Sequence, residues 1–476
     1  MTTVSSTADL PRPGAAEVDR SCRVPVLTLF AFASLWLCTG LLLNLLAAIK
    51  FHSPNFMVGA AWQTYGRIYP AGLTALFYGF ALQAGLGVAL WLVARLGRTT
   101  LRGPVAAVVA TVLWNFAVFS GVLAILGGGS SGHELLEMPI APAAMLFTAF
   151  VMLALCALAT FQDRQPGDLF VSNWFLLTAL FWFAWVYAAA NLLLHVLPVR
   201  GVMQAVVEWW HLANFTGVVL SFLGLAAVFY FIPRLSGRPL HNQMLAAFVF
   251  WTVAIFAPWT GIAPGTPLPA WMPSVSSMFS ALLIIPAVAV AVMVFRTAAG
   301  VPVGGDGGAR KFFTFGAYAW TGWVLIGAVV AVREVSYLVN FTWLVRGQVL
   351  LFLYGFVIMV FLGAMAQVIS AVLGGEGLCP RRLRLAFGCA SAGALLGVLP
   401  LLAGGVLEGL AHAQPHSDFM TAAGKALMPL RVSTLGDLLM LVAAFSFALN
   451  FAMRLFATLR AAARPVWKQV TQEVAA

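Results

Sequence analysis

Apolar runs of 18 or more residues recur from one end of this 476-residue chain to the other. A run of that length crosses the hydrocarbon core of a bilayer as a helix, with every backbone polar group bonded internally. Twelve runs are read, near residues 25–48, 70–94, 104–127, 140–161, 170–197, 204–233, 241–262, 271–296, 313–332, 345–374, 383–408 and 434–459. The alternating ten-residue pattern of barrel strands is absent. With 62% hydrophobic and 9% charged residues, the chain lacks the polar surface that a water-soluble fold of this size needs. The expectation is an all-α, polytopic membrane protein of twelve transmembrane helices. A membrane domain at 24–460 would lie between tails at 1–23 and 461–476. The stretch 1–23 does not read as a cleavable signal, because no short apolar region with a small-residue cleavage site follows it.

Threading the spans in order places nineteen of the 26 Lys and Arg residues on one face. The opposite face receives Lys50, Arg67, Arg200, Arg333, Arg346, Lys425 and Arg431. By the positive-inside bias both termini are cytoplasmic, in a bacterial plasma membrane. Because the net charge of +11 is dispersed over short loops, it does not point to nucleic acid. The five cysteines form no C-x-x-C pair, so no zinc ribbon, dithiol or c-type haem attachment is encoded. They read as packing residues, as do the 16 methionines. Two glycine-rich pieces, "LGGGSSGH" (126–133) and "VGGDGGAR" (303–310), lack the phosphate-loop pattern and read as flexible loops.

Few residues offer chemistry. Most of the seven histidines fall near span ends or in loops. His211, in "VVEWWHLANFTG", lies about a turn inside the sixth span. It could ligate a metal or haem, or sit at the interface beside Trp209 and Trp210. A lone imidazole is a poor metal site, which favours the interface. Glu208, Glu334, Glu408 and Asp437 are acids in or beside apolar runs, and such acids are costly. They could line a proton or cation path. Alternatively they are snorkelling acids or ion-pair partners, Glu334 next to Arg333 and Glu208 close to Arg200. Their place at the outer ends of spans argues against a continuous relay.

Several stretches together resemble subunit I of the cbb3-type cytochrome c oxidases, in the haem-copper oxidase superfamily. They are "YGRIYPAGLTALFYGF" in the second span, "EWWHLANFTGVVLSFLGLAAVFYFIPRLSGRPL" in the sixth, "FWTVAIFAPWTGIAPGTPLPAW" in and after the seventh, and "FTWLVRGQVLLFLYGFVIMVFLGAMAQVISAVLG" in the tenth. The resemblance implies haem b and copper, held by histidines of spans two, six, seven and ten. It places Gly72, Gln348 and Leu350 at haem-ligand positions, and Ala213, Ala263 and Pro264 at copper positions. The family's active-site tyrosine falls near Gln243. None of these side chains supplies an imidazole-like donor, so no cofactor is expected here.

The resulting expectation is a redox-inactive relative that keeps the bundle. It would act as a structural or regulatory subunit in the lipid bilayer, beside other respiratory subunits such as a membrane c-type cytochrome. Two alternatives are an active haem-dependent oxidase or reductase with rearranged ligands, and a proton or ion conduit or carrier on the same scaffold. Loss of haem would leave voids, and Phe and Leu of "LLFLYGF" are the expected fillers.

Overall fold

The structure is a computed structural model describing residues 13–301, 308–374, 377–416 and 418–475. Arg12 and most of the glycine-rich 303–310 stretch lie outside the described residues. Eleven helices are long and apolar enough to cross a membrane, and a shorter apolar helix stands in the seventh position. In chain order they are α1 (Ala15–His52), α2 (Tyr65–Gly97), α3 (Pro104–Gly127), α4 (Ile140–Gln162), α5 (Val171–Val196) and α6 (Val202–Ser236). The second half comprises α7 (Gln243–Trp259), α8 (Trp271–Ala298), α9 (Ala309–Val330), α10 (Trp343–Val372), α11 (Pro380–His412) and α12 (Phe419–Ala461). Each expected span falls on one of them. The helices overrun the apolar runs, so residues 15–23 of the expected N-terminal tail already belong to α1.

Lipid gives helices no hydrophobic reason to associate, so close approach depends on small residues at the contacts. Glycines perform this role where α2 meets α1. A Cβ on Gly79 would lie 2.5 Å from Trp36, and one on Gly72 would lie 3.2 Å from Leu43. The same device joins α11 to α12, where Gly436 packs directly on the backbone of Gly397. Peripheral helices turn large apolar side chains outward, among them Phe116 and Phe119 of α3 and Leu395 and Leu399 of α11. This is the pattern of a lipid-facing surface.

Three helices form the centre. The most apolar stretch of α2 is entirely buried, and those of α6 and α10 are 89% buried. The same three helices carry π-helical segments, at Ala75–Leu82, Phe215–Leu220 and Leu351–Ile358; a fourth lies at the end of α5, Leu192–Val196. π-Helical turns are rare and concentrate at functional sites, because they strain the hydrogen-bond ladder. Buried side chains cover carbonyls in two of the segments. Trp114 donates to Tyr78 O at 3.1 Å, and the Ser221 hydroxyl donates to Thr216 O at 2.8 Å.

Candidate functional site

The chain enters α10 at Thr342, whose hydroxyl accepts from Leu344 N at 3.4 Å. The Glu408 carboxylate of α11 accepts from Trp343 N at 3.2 Å. Glu408 therefore satisfies an orphan amide at a helix start, which is a structural task. Close contact of Gly405 with Leu344 sets this end of α10 against α11, and Gly409 packs on Leu338 of the short helix Arg333–Val339 just before it. The arrangement aims the next turn of α10 into the bundle.

The first inward residue corrects a sequence expectation. Threading the basic residues through the spans counts Arg346 on the outer face, at the start of the tenth span, yet it is buried, with its guanidinium carbon 4.9 Å from the Tyr69 ring centroid and 5.3 Å from that of Phe51. Its Nη2 reaches Asn44 Oδ1 at 3.4 Å. Asn44 Nδ2 donates to the Tyr354 hydroxyl at 2.5 Å and to Asp437 Oδ1 at 3.3 Å, and Tyr354 donates to the same oxygen at 2.7 Å. Asp437 is thus a buried acid in a polar network joining α1, α2, α10 and α12, not an interfacial acid. Arg346 Nη1 and Asp437 Oδ2 find no partner among the described residues, so the network is only partly satisfied and costly to bury in low dielectric. Sequence reasoning passed over Arg346, Asn44 and Tyr354 as site residues. The available signal was one Asn and one Arg inside apolar runs, "LLLNLL" and "LVRGQVLL".

Two residues beyond Arg346, Gln348 lies against α9, where a Cβ on Gly327 would be 3.1 Å from its amide nitrogen. Gln348 belongs to the wall of a cavity of about 300 Å³, with Ala213 of α6, Ala263 and Pro264 after α7, and Trp323 of α9. Four of the six positions singled out by resemblance therefore converge on one chamber, at the end of the bundle away from both chain termini. Gly72 and Leu350 are not part of it: Gly72 is pressed against α1, and Leu350 is buried in packing. Gln243 begins α7 at the opposite end. The expected refilling by Phe and Leu is incomplete. Phe352 packs on Trp323 at 4.6 Å and Phe356 fills the space beside Gly224, yet the chamber stays open.

His211 is not interfacial. It is fully buried, stacked on Phe215 at 5.7 Å and 13°, and tilted toward Tyr187 at 6.3 Å. It lies off the chamber wall, and among the described residues neither ring nitrogen has a hydrogen-bond partner. Glu208 also finds an unexpected neighbour. It binds His133 Nδ1 at 3.1 Å and the Glu134 backbone N–H at 2.8 Å, in place of the expected Arg200. These contacts fix the strap 128–139, which crosses the chamber through Glu134 and Leu135. The strap's glycine-rich start is anchored by Arg67, which donates to Leu126 O at 3.4 Å. Burial raises the Glu134 carboxyl above its ordinary range, and raises that of Glu137 to about 8. Glu334 is exposed on the short helix Arg333–Val339 and joins neither cluster.

One known family matches this sequence. The profile for cytochrome c and quinol oxidase polypeptide I covers residues 24–439. The chain belongs to that family. Among its relatives in this oxidase subunit I family are a cytochrome c oxidase subunit 1 homolog of Azorhizobium caulinodans and the cbb3-type cytochrome c oxidase subunit CcoN1 of Stutzerimonas stutzeri. The first is 26% identical over 53% of this chain and 48% of its own length. The second is 23% identical over 79% of this chain and 81% of its own. The alignment thus spans about half the length of the first relative. A solved heme-copper terminal oxidase dimer shares the fold, with a TM-score of 0.69 at 16% identity over 92% of this chain and 84% of that one.

The oxidase subunit I family implies haem and copper, and this donor set does not fit them. The chamber wall contains no His, Cys or Met. Among the described residues no group of three or more His, Cys, Asp or Glu side chains is arranged to hold a metal. Iron and copper in such sites need imidazole or sulfur donors, and alanine, proline and a primary amide provide neither. At Gly72 an added Cβ would press on α1, 3.2 Å from Leu43 and 3.3 Å from the Asn44 backbone nitrogen, and the glycine itself brings no donor.

Proposed function

We propose that this chain is a redox-inactive member of the oxidase subunit I family, acting as a structural or regulatory subunit of a respiratory membrane complex. One observation carries the reading. Ala213, Ala263, Pro264 and Gln348 line a chamber at one end of the bundle and bring no metal donor to it. Retention of the central helices with their π-helical turns supports a role that needs the bundle's shape and partner surfaces. The candidate acids favour no conduit: Glu408 caps α10, Glu208 is tied to the strap through His133 and the Glu134 N–H, Glu334 is exposed, and Asp437 is closed into a network. The partner class that suits this reading is a membrane c-type cytochrome or another respiratory subunit, in a bacterial plasma membrane with both termini cytoplasmic. The test is the absorption spectrum of the purified full chain after dithionite reduction. No haem α-band is expected; a band corresponding to one or two haems per chain would overturn the proposal.

A further inference from the structure

We infer that the chamber bounded by Ala213, Ala263, Pro264 and Gln348 is a binding site for an uncharged, ring-sized molecule bearing a hydroxyl or carbonyl group. This rests on the redox-inactive reading, since a haem at the same position would claim the same space. At about 300 Å³ the chamber stands at the lower end of small-molecule sites. Aromatic faces from Phe77, Trp323 and Phe352 line it, and small residues leave the interior open. Such walls suit a flat, apolar body.

The polar groups of the wall narrow the ligand class. Thr216 donates to Leu212 O at 2.7 Å, Ser280 to Ser276 O at 2.8 Å, and Thr260 to Ala257 O at 2.8 Å. Ser276 accepts from Ile262 N at 3.0 Å, and Asn340 donates to Ser336 at 2.5 Å. Among the described residues the Gln348 amide and the Trp209 and Trp323 indole N–H groups have no hydrogen-bond partner, and of these only Gln348 can both donate and accept. A primary amide offers two N–H donors and one acceptor, so it can answer either a carbonyl or a hydroxyl. No Lys, Arg or His borders the chamber, so an anion would find no counter-charge. Its one carboxyl, Glu134, is exposed on the strap, and a single exposed acid without a second one beside it in the wall is a weak site for a cation.

The experiment uses the full chain in detergent. Its haem content is measured first, and binding is then followed by equilibrium dialysis against matched empty micelles. The probe is radiolabelled 1-naphthol, with naphthalene and 1-naphthoate as controls. A saturable, one-to-one 1-naphthol component is expected, with none for 1-naphthoate. Ala213→Phe, which fills the chamber, should abolish it. Gln348→Leu, which keeps the bulk and removes the amide, should weaken 1-naphthol about tenfold and leave naphthalene within about twofold. Haem-free protein with no saturable component would overturn the ligand site alone. So would a component indifferent to both variants, or equal binding of 1-naphthoate. A haem band would overturn this inference together with the reading beneath it.

Discussion

Tyr354 and Asp437, 83 positions apart in the chain, meet in the bundle with the phenol donating to the carboxylate at 2.7 Å. Asn44 bridges this pair to Arg346, which is buried against two aromatic rings. Removing one charged member strands the others in low dielectric, whereas removing both charges leaves only packing to repair. Arg346→Met and Asp437→Leu should each destabilise the protein by about 3 kcal/mol, and the double variant by clearly less than their sum. Unfolding midpoints in detergent, assembled as a double-mutant cycle, measure the coupling; strict additivity would show that the two charges act independently.

Gly436 and Gly397 hold α12 against α11 at backbone contact. Gly436→Ala forces the helices apart and should cost about 1–3 kcal/mol. Gly388, on the same α11, is the control, because a methyl added there would have nothing within 4 Å. Gly388→Ala should stay within about 0.5 kcal/mol. Equal losses at both positions in thermal melting would contradict the close-packed seam.

Glu137 in the strap is raised to about 8 by burial, with Glu134 and Glu208 as like-charged neighbours. The folded state therefore favours the protonated form. The stability this contributes is complete below the unfolded carboxyl range, near pH 4.5, and is lost as pH rises through about 8. The Tm of the wild-type chain should fall between pH 5 and pH 9, and Glu137→Gln should flatten that fall. A parallel pH profile for the variant would assign the effect to another group.

Cys379 is exposed just before α11, and the backbone N–H groups of Arg381 and Arg382 lower its pKa. Cys22, Cys38 and Cys156 are buried. A membrane-impermeant maleimide should therefore label Cys379 first, because the thiolate is the reactive form. With cytoplasmic termini this occurs in inside-out vesicles and not in right-side-out ones. Labelling from the outer face would reverse the orientation drawn from the basic residues.

The six positions singled out by resemblance show how legible the site was. Four of them border one chamber, which spacing along separate helices could not demonstrate. The burial of His211 was not legible, because an imidazole one turn inside a span can face lipid, water or protein. The neighbours that bury it, Phe215 and Tyr187, come partly from another helix.

The sequence by itself determined the twelve helices, their order and the family. Apolar length is a local property, and a bilayer allows such a run one regular structure. Only the tertiary structure decided that Arg346 is a core residue, that Asn44 lies between it and Asp437, and that a chamber stays open beside Gln348. Those outcomes depend on which side chains arrive from helices hundreds of residues apart. Burial and hydrogen bonding are properties of that meeting, and no single stretch of chain contains them.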